Sequence, residues 1–170
     1  MKIENKELIS QSIAKFHLPR YKEIPDVGLY LDQVTKYING YLKDFPGMTV
    51  TPSMISNYVK LKLISKANKK AYSRDQIAGF IFIVFAKTVL SMNHIQYLLT
   101  FQKEHYKVED AYNYFREELI SLLSSLESKT GMDYNEEEAE EKRMLHNVAI
   151  TIAYKMYLDS YFRESEETSE

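Results

Sequence analysis

A chain of 170 residues with 45% hydrophobic content is long enough for one compact core, and a domain of this size buries roughly 70% of its unfolded surface. The absence of cysteine excludes a disulfide framework and a thiolate metal site, and it suits a reducing cytoplasm. The longest apolar run, Gly79 to Ala86, is too short for a bilayer, which needs about 20 residues; the amino end lacks the continuous apolar stretch of a signal peptide, so a soluble, cytoplasmic protein with no membrane partner is expected.

Five glycines and four prolines leave little material for the turns of an all-β fold. A mainly helical chain follows. Ile9, Ile13 and Phe16 recur at helical spacing and predict a first short helix ending before Pro19. After the loop "LPRYKEIPDVG", Leu31, Val34, Ile38, Tyr41 and Leu42 predict a second, closed by Pro46 and Gly47. Thr51 and Pro52 read as N-cap and first residue of a third helix reaching about Lys60. "LISKANKKAYS" sets Ile64 and Tyr72 around a polar centre at Asn68 and Lys69, the pattern of a small hairpin. Ser73 and Gln76 form a capping box ahead of "IAGFIFIVFAKTVL", which is apolar around nearly its whole circumference and therefore central.

Ser91 reads as the next N-cap, with Ile95, Leu98 and Leu99 facing inward and a break near Tyr106. From Val108 to Leu126 apolar residues form an unbroken stripe of about five turns. Gly131 closes the linker after it, and Asn135 caps a last helix through Leu158. The tail "RESEETSE" has too little apolar surface to fold. Two regions are expected: 1–105, and a helical hairpin at 106–170 for dimerisation or partner binding, with a disordered acidic tail.

A short helix, a basic hairpin and a capped helix in that order make a winged helix-turn-helix. Charge follows the same division. From Thr49 to Arg74 there are six basic residues, Lys60, Lys62, Lys66, Lys69, Lys70 and Arg74, and no acid. From Asp133 to Glu170 eleven acids face four bases, a balance of −7. On the third helix Ile55, Tyr58 and Val59 can pack inward, while Ser53, Ser56, Asn57 and Lys60 fall at i, i+3, i+4 and i+7 on one outward stripe. Asparagine can pair bidentately with adenine, serine can meet phosphates or base edges, and lysine can reach guanine or the backbone. Double-stranded DNA is the expected partner.

"MISNYVKLKLI", "NKKAYSRDQIAGFIFI" and "VLSMNHIQYLL" resemble the winged helix of MerR-type regulators over about residues 49–100. The resemblance implies DNA binding, with Tyr58 on the second helix of that fold, Lys70 as its basic wing residue and Tyr72 closing the wing; with the outward stripe and the basic cluster, the expected DNA-binding set is Ser53, Ser56, Asn57, Tyr58, Lys60, Lys62, Lys69, Lys70, Tyr72 and Arg74. Ser56 and Asn57 stand where MerR proteins usually carry Arg and Tyr, Lys62 where they carry Gly, and the connection "KDFPGMTVT" is longer than the usual turn. A second resemblance is closer. "LPRYKEIPDVGLYLDQV", "MISNYVK" and "AYSRDQIA" look like a bacterial family of domains of unknown function, over about residues 18–100, implying a MerR-like fold without an established target.

Enzymatic readings find no foothold. His17, His94, His105 and His146 are scattered over separate elements, in no metal or nucleophile motif, and the isolated glycines form no phosphate loop. "EEEAEE" reads as a solvated first helical turn rather than a metal site. No catalytic residue, metal or cofactor is expected. The leading expectation is a DNA-binding transcriptional regulator, homodimeric through its last two helices. The alternative is a non-catalytic adaptor docking an acidic protein on the basic face, with or without a small-molecule effector in an apolar pocket lined by tyrosine and methionine.

Overall fold

The computed structural model describes residues 16–43, 45–128 and 140–167. The chain divides into two compact units: 18–116, and residues from 117 onward together with the amino end. Within the described residues lie strands β1 (Leu29–Tyr30) and β2 (Ala71–Tyr72) and helices α1 (Leu31–Leu42), α2 (Pro52–Lys60), α3 (Arg74–Ala86), α4 (Met92–His105), α5 (Val108–Ser128) and α6 (Glu140–Glu167). Single 3-10 turns occupy Tyr21–Glu23 and Pro46–Met48. The mainly helical architecture with a two-stranded antiparallel sheet matches the expectation from composition. No helix among the described residues is long and apolar enough to cross a membrane.

In the unit 18–116, α3 is the centre. Eight of its residues, from Ile77 to Ala86, are buried, as a helix apolar on all sides must be. Its start is the expected capping box: Gln76 N donates to Ser73 Oγ at 3.4 Å, and Ser73 N donates to Gln76 Oε1 at 2.9 Å. Its end comes at Ala86, earlier than the apolar run suggests. Thr88 explains part of this, because its hydroxyl and its backbone N–H both take the Phe85 carbonyl, at 2.7 and 3.1 Å, and tighten the last turn. α1 presents Val34, Thr35, Ile38 and Leu42 to the core, and the buried Thr35 hydroxyl is satisfied by Leu31 O at 2.9 Å. Ser91 caps α4 as expected, accepting from His94 N.

The segment before β1 is tied down rather than loose. Tyr112 Oη donates to Pro19 O at 2.9 Å, Arg116 Nε to Leu18 O at 2.7 Å, and Tyr21 N to Asn113 Oδ1 at 3.0 Å. These bonds pin residues 18–21 to the first turns of α5. Phe115 of the same turns meets Phe82 edge to face at 5.1 Å.

In the other unit, Leu119, Leu122 and Leu123 of α5 are buried, as are Val148, Ala149, Ile152, Ala153 and Met156 of α6. His146 Nδ1 lies 2.6 Å from Glu118 Oε2, joining the two helices. The stripe that suggested a homodimer is therefore covered within one chain: Tyr112 and Phe115 in the first unit, Leu119, Leu122 and Leu123 in the second. It needs no second copy to leave water, so it gives no ground for dimerisation.

Most of the predicted first helix, and the Gly131 and Asn135 signals, lie outside the described residues; Phe16 is buried in irregular backbone. The expectation of an unfolded tail fails over its first part, since α6 continues to Glu167. Helix propagation adds one hydrogen bond per residue, and glutamate is a good helix former, so the helix outlasts its apolar face.

Candidate nucleic-acid interface

α2 begins as the sequence predicts. Thr51 Oγ1 accepts from Met54 N at 3.2 Å and Pro52 takes the first turn, where its missing N–H is harmless. Ile55 and Tyr58 are buried, Val59 is half-buried, and Ser53, Ser56, Asn57 and Lys60 are exposed together on the opposite side. No side-chain hydrogen bond within the described residues engages these four, so their donors and acceptors face solvent uncommitted.

The end of α2 accounts for Lys62. Leu63 N donates to Tyr58 O and Lys62 N to Val59 O, both at 3.0 Å, the paired closure of a Schellman motif. That motif needs a left-handed residue at its turn, usually glycine, and Lys62 fills it with φ 60°. Leu63 and Tyr58, at the two positions whose apolar side chains usually accompany such an ending, are both buried.

The hairpin is smaller than expected and is completed from elsewhere. Asn68 N donates to Ala71 O at 3.0 Å and Ala71 N to Asn68 O at 2.8 Å, leaving Lys69 and Lys70 as a two-residue turn. Their φ values, 46° and 67°, are the positive pair that a type I′ turn requires. β2 pairs with β1, Leu29 opposite Tyr72 and Tyr30 opposite Ala71, instead of with a long local arm. Gly28 permits this approach: a Cβ there would stand 2.8 Å from that of Ala71. The arm before the turn is held by Gln76, whose Nε2 donates to Ser65 O at 2.8 Å and reaches Lys66 O at 3.2 Å. Gln76 thus both caps α3 and anchors the hairpin arm, and only the first role has a sequence signal.

The remaining predicted residues differ. Tyr58 and Tyr72 are 2% and 8% exposed, so both are core residues. Tyr72 meets Phe80 edge to face, and the Tyr58 hydroxyl is buried without a hydrogen-bond partner, its pKa pushed up by that burial. Arg74 is committed internally: its Nε donates to Ile24 O at 2.8 Å, it pairs with Asp26 at 3.8 Å, and its guanidinium stands over the Tyr21 ring. Lys60, Lys62, Lys66, Lys69 and Lys70 are exposed, and no acid among the described residues pairs with them. Lys87, which the sequence did not single out, brings its ammonium to 4.0 Å from Met54 Sδ, and burial lowers its pKa. Among the described residues, no group of three or more His, Asp or Glu is placed to hold a metal ion.

Comparison with known proteins agrees with one of the two resemblances. No curated protein and no solved structure matches the chain. A family model described as "Domain of unknown function (DUF1836)" matches residues 19–115, nearly the whole of the unit 18–116 and more than half of the chain. The chain belongs to the DUF1836 family.

Proposed function

We propose that this protein is a cytoplasmic transcriptional regulator that binds double-stranded DNA through a MerR-like winged helix-turn-helix. In this reading α1 and α2 are the helix-turn-helix, α2 enters the major groove, and the turn at Lys69 and Lys70 is the wing tip against adjacent phosphates. The order β1, α1, α2, basic turn, β2 supports the reading, because the strand before the helix pair closes the sheet behind the wing.

One observation carries it. Non-glycine residues with positive φ in the described chain are Lys62, Lys69 and Lys70, all exposed and all within the acid-free segment. A left-handed conformation costs an ordinary residue about 1 kcal/mol or more, and glycine or asparagine would relieve it. Lysine at all three positions keeps positive charge where folding alone favours other residues. Strain retained at exposed charges marks a surface with work besides folding, and a polyanion is the partner whose chemistry uses it.

The test is a fluorescence-anisotropy titration against random-sequence duplex DNA at several salt concentrations. Binding at low salt, weakening with a log–log slope of about −0.9 per phosphate neutralised, is the expected result. A folded protein with no measurable affinity at low salt overturns the proposal.

A further inference from the structure

We infer that the sequence read by α2 is rich in A·T pairs, with an adenine under Asn57; this rests on the DNA-binding reading above. The outward face of α2 offers Pro52, Ser53, Ser56 and Asn57 in its first two turns and Lys60 at its end, all exposed. The first two turns of a helix in the major groove are the part that reaches base edges. They contain no arginine, the side chain whose fork fits guanine O6 and N7, and no acid to accept from the cytosine amino group.

What they contain suits the other pair. The Asn57 amide, uncommitted within the described residues, offers one donor and one acceptor, the complement of adenine N7 and N6. The exposed Pro52 ring is an apolar surface of the kind that meets a thymine methyl. Ser53 and Ser56 are short and neutral, so they let the helix approach closely without favouring guanine. Lys60, at the far end, is placed for a phosphate. Charge in this segment is thus concentrated beyond the reading face, in Lys60 to Lys70, and the reading face itself is neutral.

Two duplex pools with randomised cores, one rich in A·T and one rich in G·C, distinguish the outcomes at near-physiological salt. The A·T pool should bind roughly tenfold or more tightly, the discrimination of one good bidentate pair. Replacing adenine by 7-deazaadenine, which removes N7 from the major groove and leaves the minor groove intact, should abolish the advantage, as should Asn57→Ala on the exposed face. Equal salt-sensitive binding to both pools overturns the inference and leaves DNA binding standing. An A·T preference that survives 7-deazaadenine or Asn57→Ala also overturns it, because the reading then lies elsewhere. Binding to neither pool here overturns the inference, and binding to neither at low salt as well removes the DNA-binding reading with it.

Discussion

Asn39 of α1 holds Val50 by both ends of its peptide: the side-chain Nδ2 donates to Val50 O at 2.8 Å, and Val50 N donates to Asn39 Oδ1 at 2.9 Å. Val50 itself is buried, and Thr51, the next residue, is the N-cap of α2. The amide acts as a surrogate strand for a stretch that forms none. It fixes where α2 starts relative to α1 despite a connection longer than a tight helix-turn-helix turn.

Removing that clamp should therefore affect both stability and binding. Asn39→Ala leaves a part-buried N–H and C=O unpaired, a loss of about 1–3 kcal/mol, measurable by urea unfolding. Asn39→Asp keeps the acceptor but sets a carboxylate against the Val50 carbonyl, so it should be no better than alanine. An unchanged unfolding midpoint in both variants would show that water replaces the clamp at no cost.

Lys69 and Lys70 give a prediction in which stability and binding move in opposite directions. Lys69→Asn with Lys70→Gly supplies the residues a type I′ turn prefers, so the melting temperature should rise, by a gain of about 1–2 kcal/mol. Binding to duplex DNA should weaken, and the salt slope should shrink by about 2 if each lysine neutralises one phosphate. A more stable protein with undiminished DNA affinity would mean that the turn does not touch the duplex.

The same turn shows what the sequence made legible and what it did not. Caps at Thr51, Ser73 and Ser91, the central character of α3 and the faces of α2 were all readable, because each depends on side chains a few residues apart. The partner of β2 was not readable, since β1 has two residues and no periodicity of its own. Nor was the Asn39 clamp: asparagine inside a helix usually faces solvent, and its partner lies eleven residues away. On the candidate interface, exposure followed the helical wheel for Ser53, Ser56, Asn57 and Lys60. Arg74 did not follow the charge count, because its partners Ile24, Asp26 and Tyr21 come from a distant part of the chain.

Tyr58 tests whether the inward face of α2 serves packing alone. Its ring is buried and its hydroxyl has no hydrogen-bond partner, a desolvated polar group with nothing in exchange. Tyr58→Phe keeps the ring and removes the orphan, so stability should stay the same or rise by about 1 kcal/mol. Duplex affinity should be unchanged, because a buried hydroxyl meets no phosphate. A large loss of DNA affinity in a fully folded Tyr58→Phe protein would show that the hydroxyl swings outward on binding.

Alkaline pH should destabilise the unit 18–116 in a defined window. Tyr21 is pushed up to about 12, first by burial and then by its hydrogen bond to Asp75, and burial also raises Tyr37, Tyr58 and Tyr112. An unfolded tyrosine titrates near 10. Above that pH the unfolded chain has released protons that the folded chain still holds, so the unfolding free energy falls as pH rises. Below about 10 both states are protonated and the stability is fully present. Lys87 acts in the opposite sense: burial lowers its folded pKa below 10.5, so its charged form disfavours folding until the pH approaches that value. One lysine set against four tyrosines leaves a net loss above pH 10, and Lys87→Met should steepen it by removing the opposing contribution. Thermal melts from neutral pH to about 12, with tyrosinate absorbance followed in parallel, measure both effects. Four tyrosines should resist ionisation until the unit unfolds; complete titration near 10 with the fold intact would show that these hydroxyls are solvated.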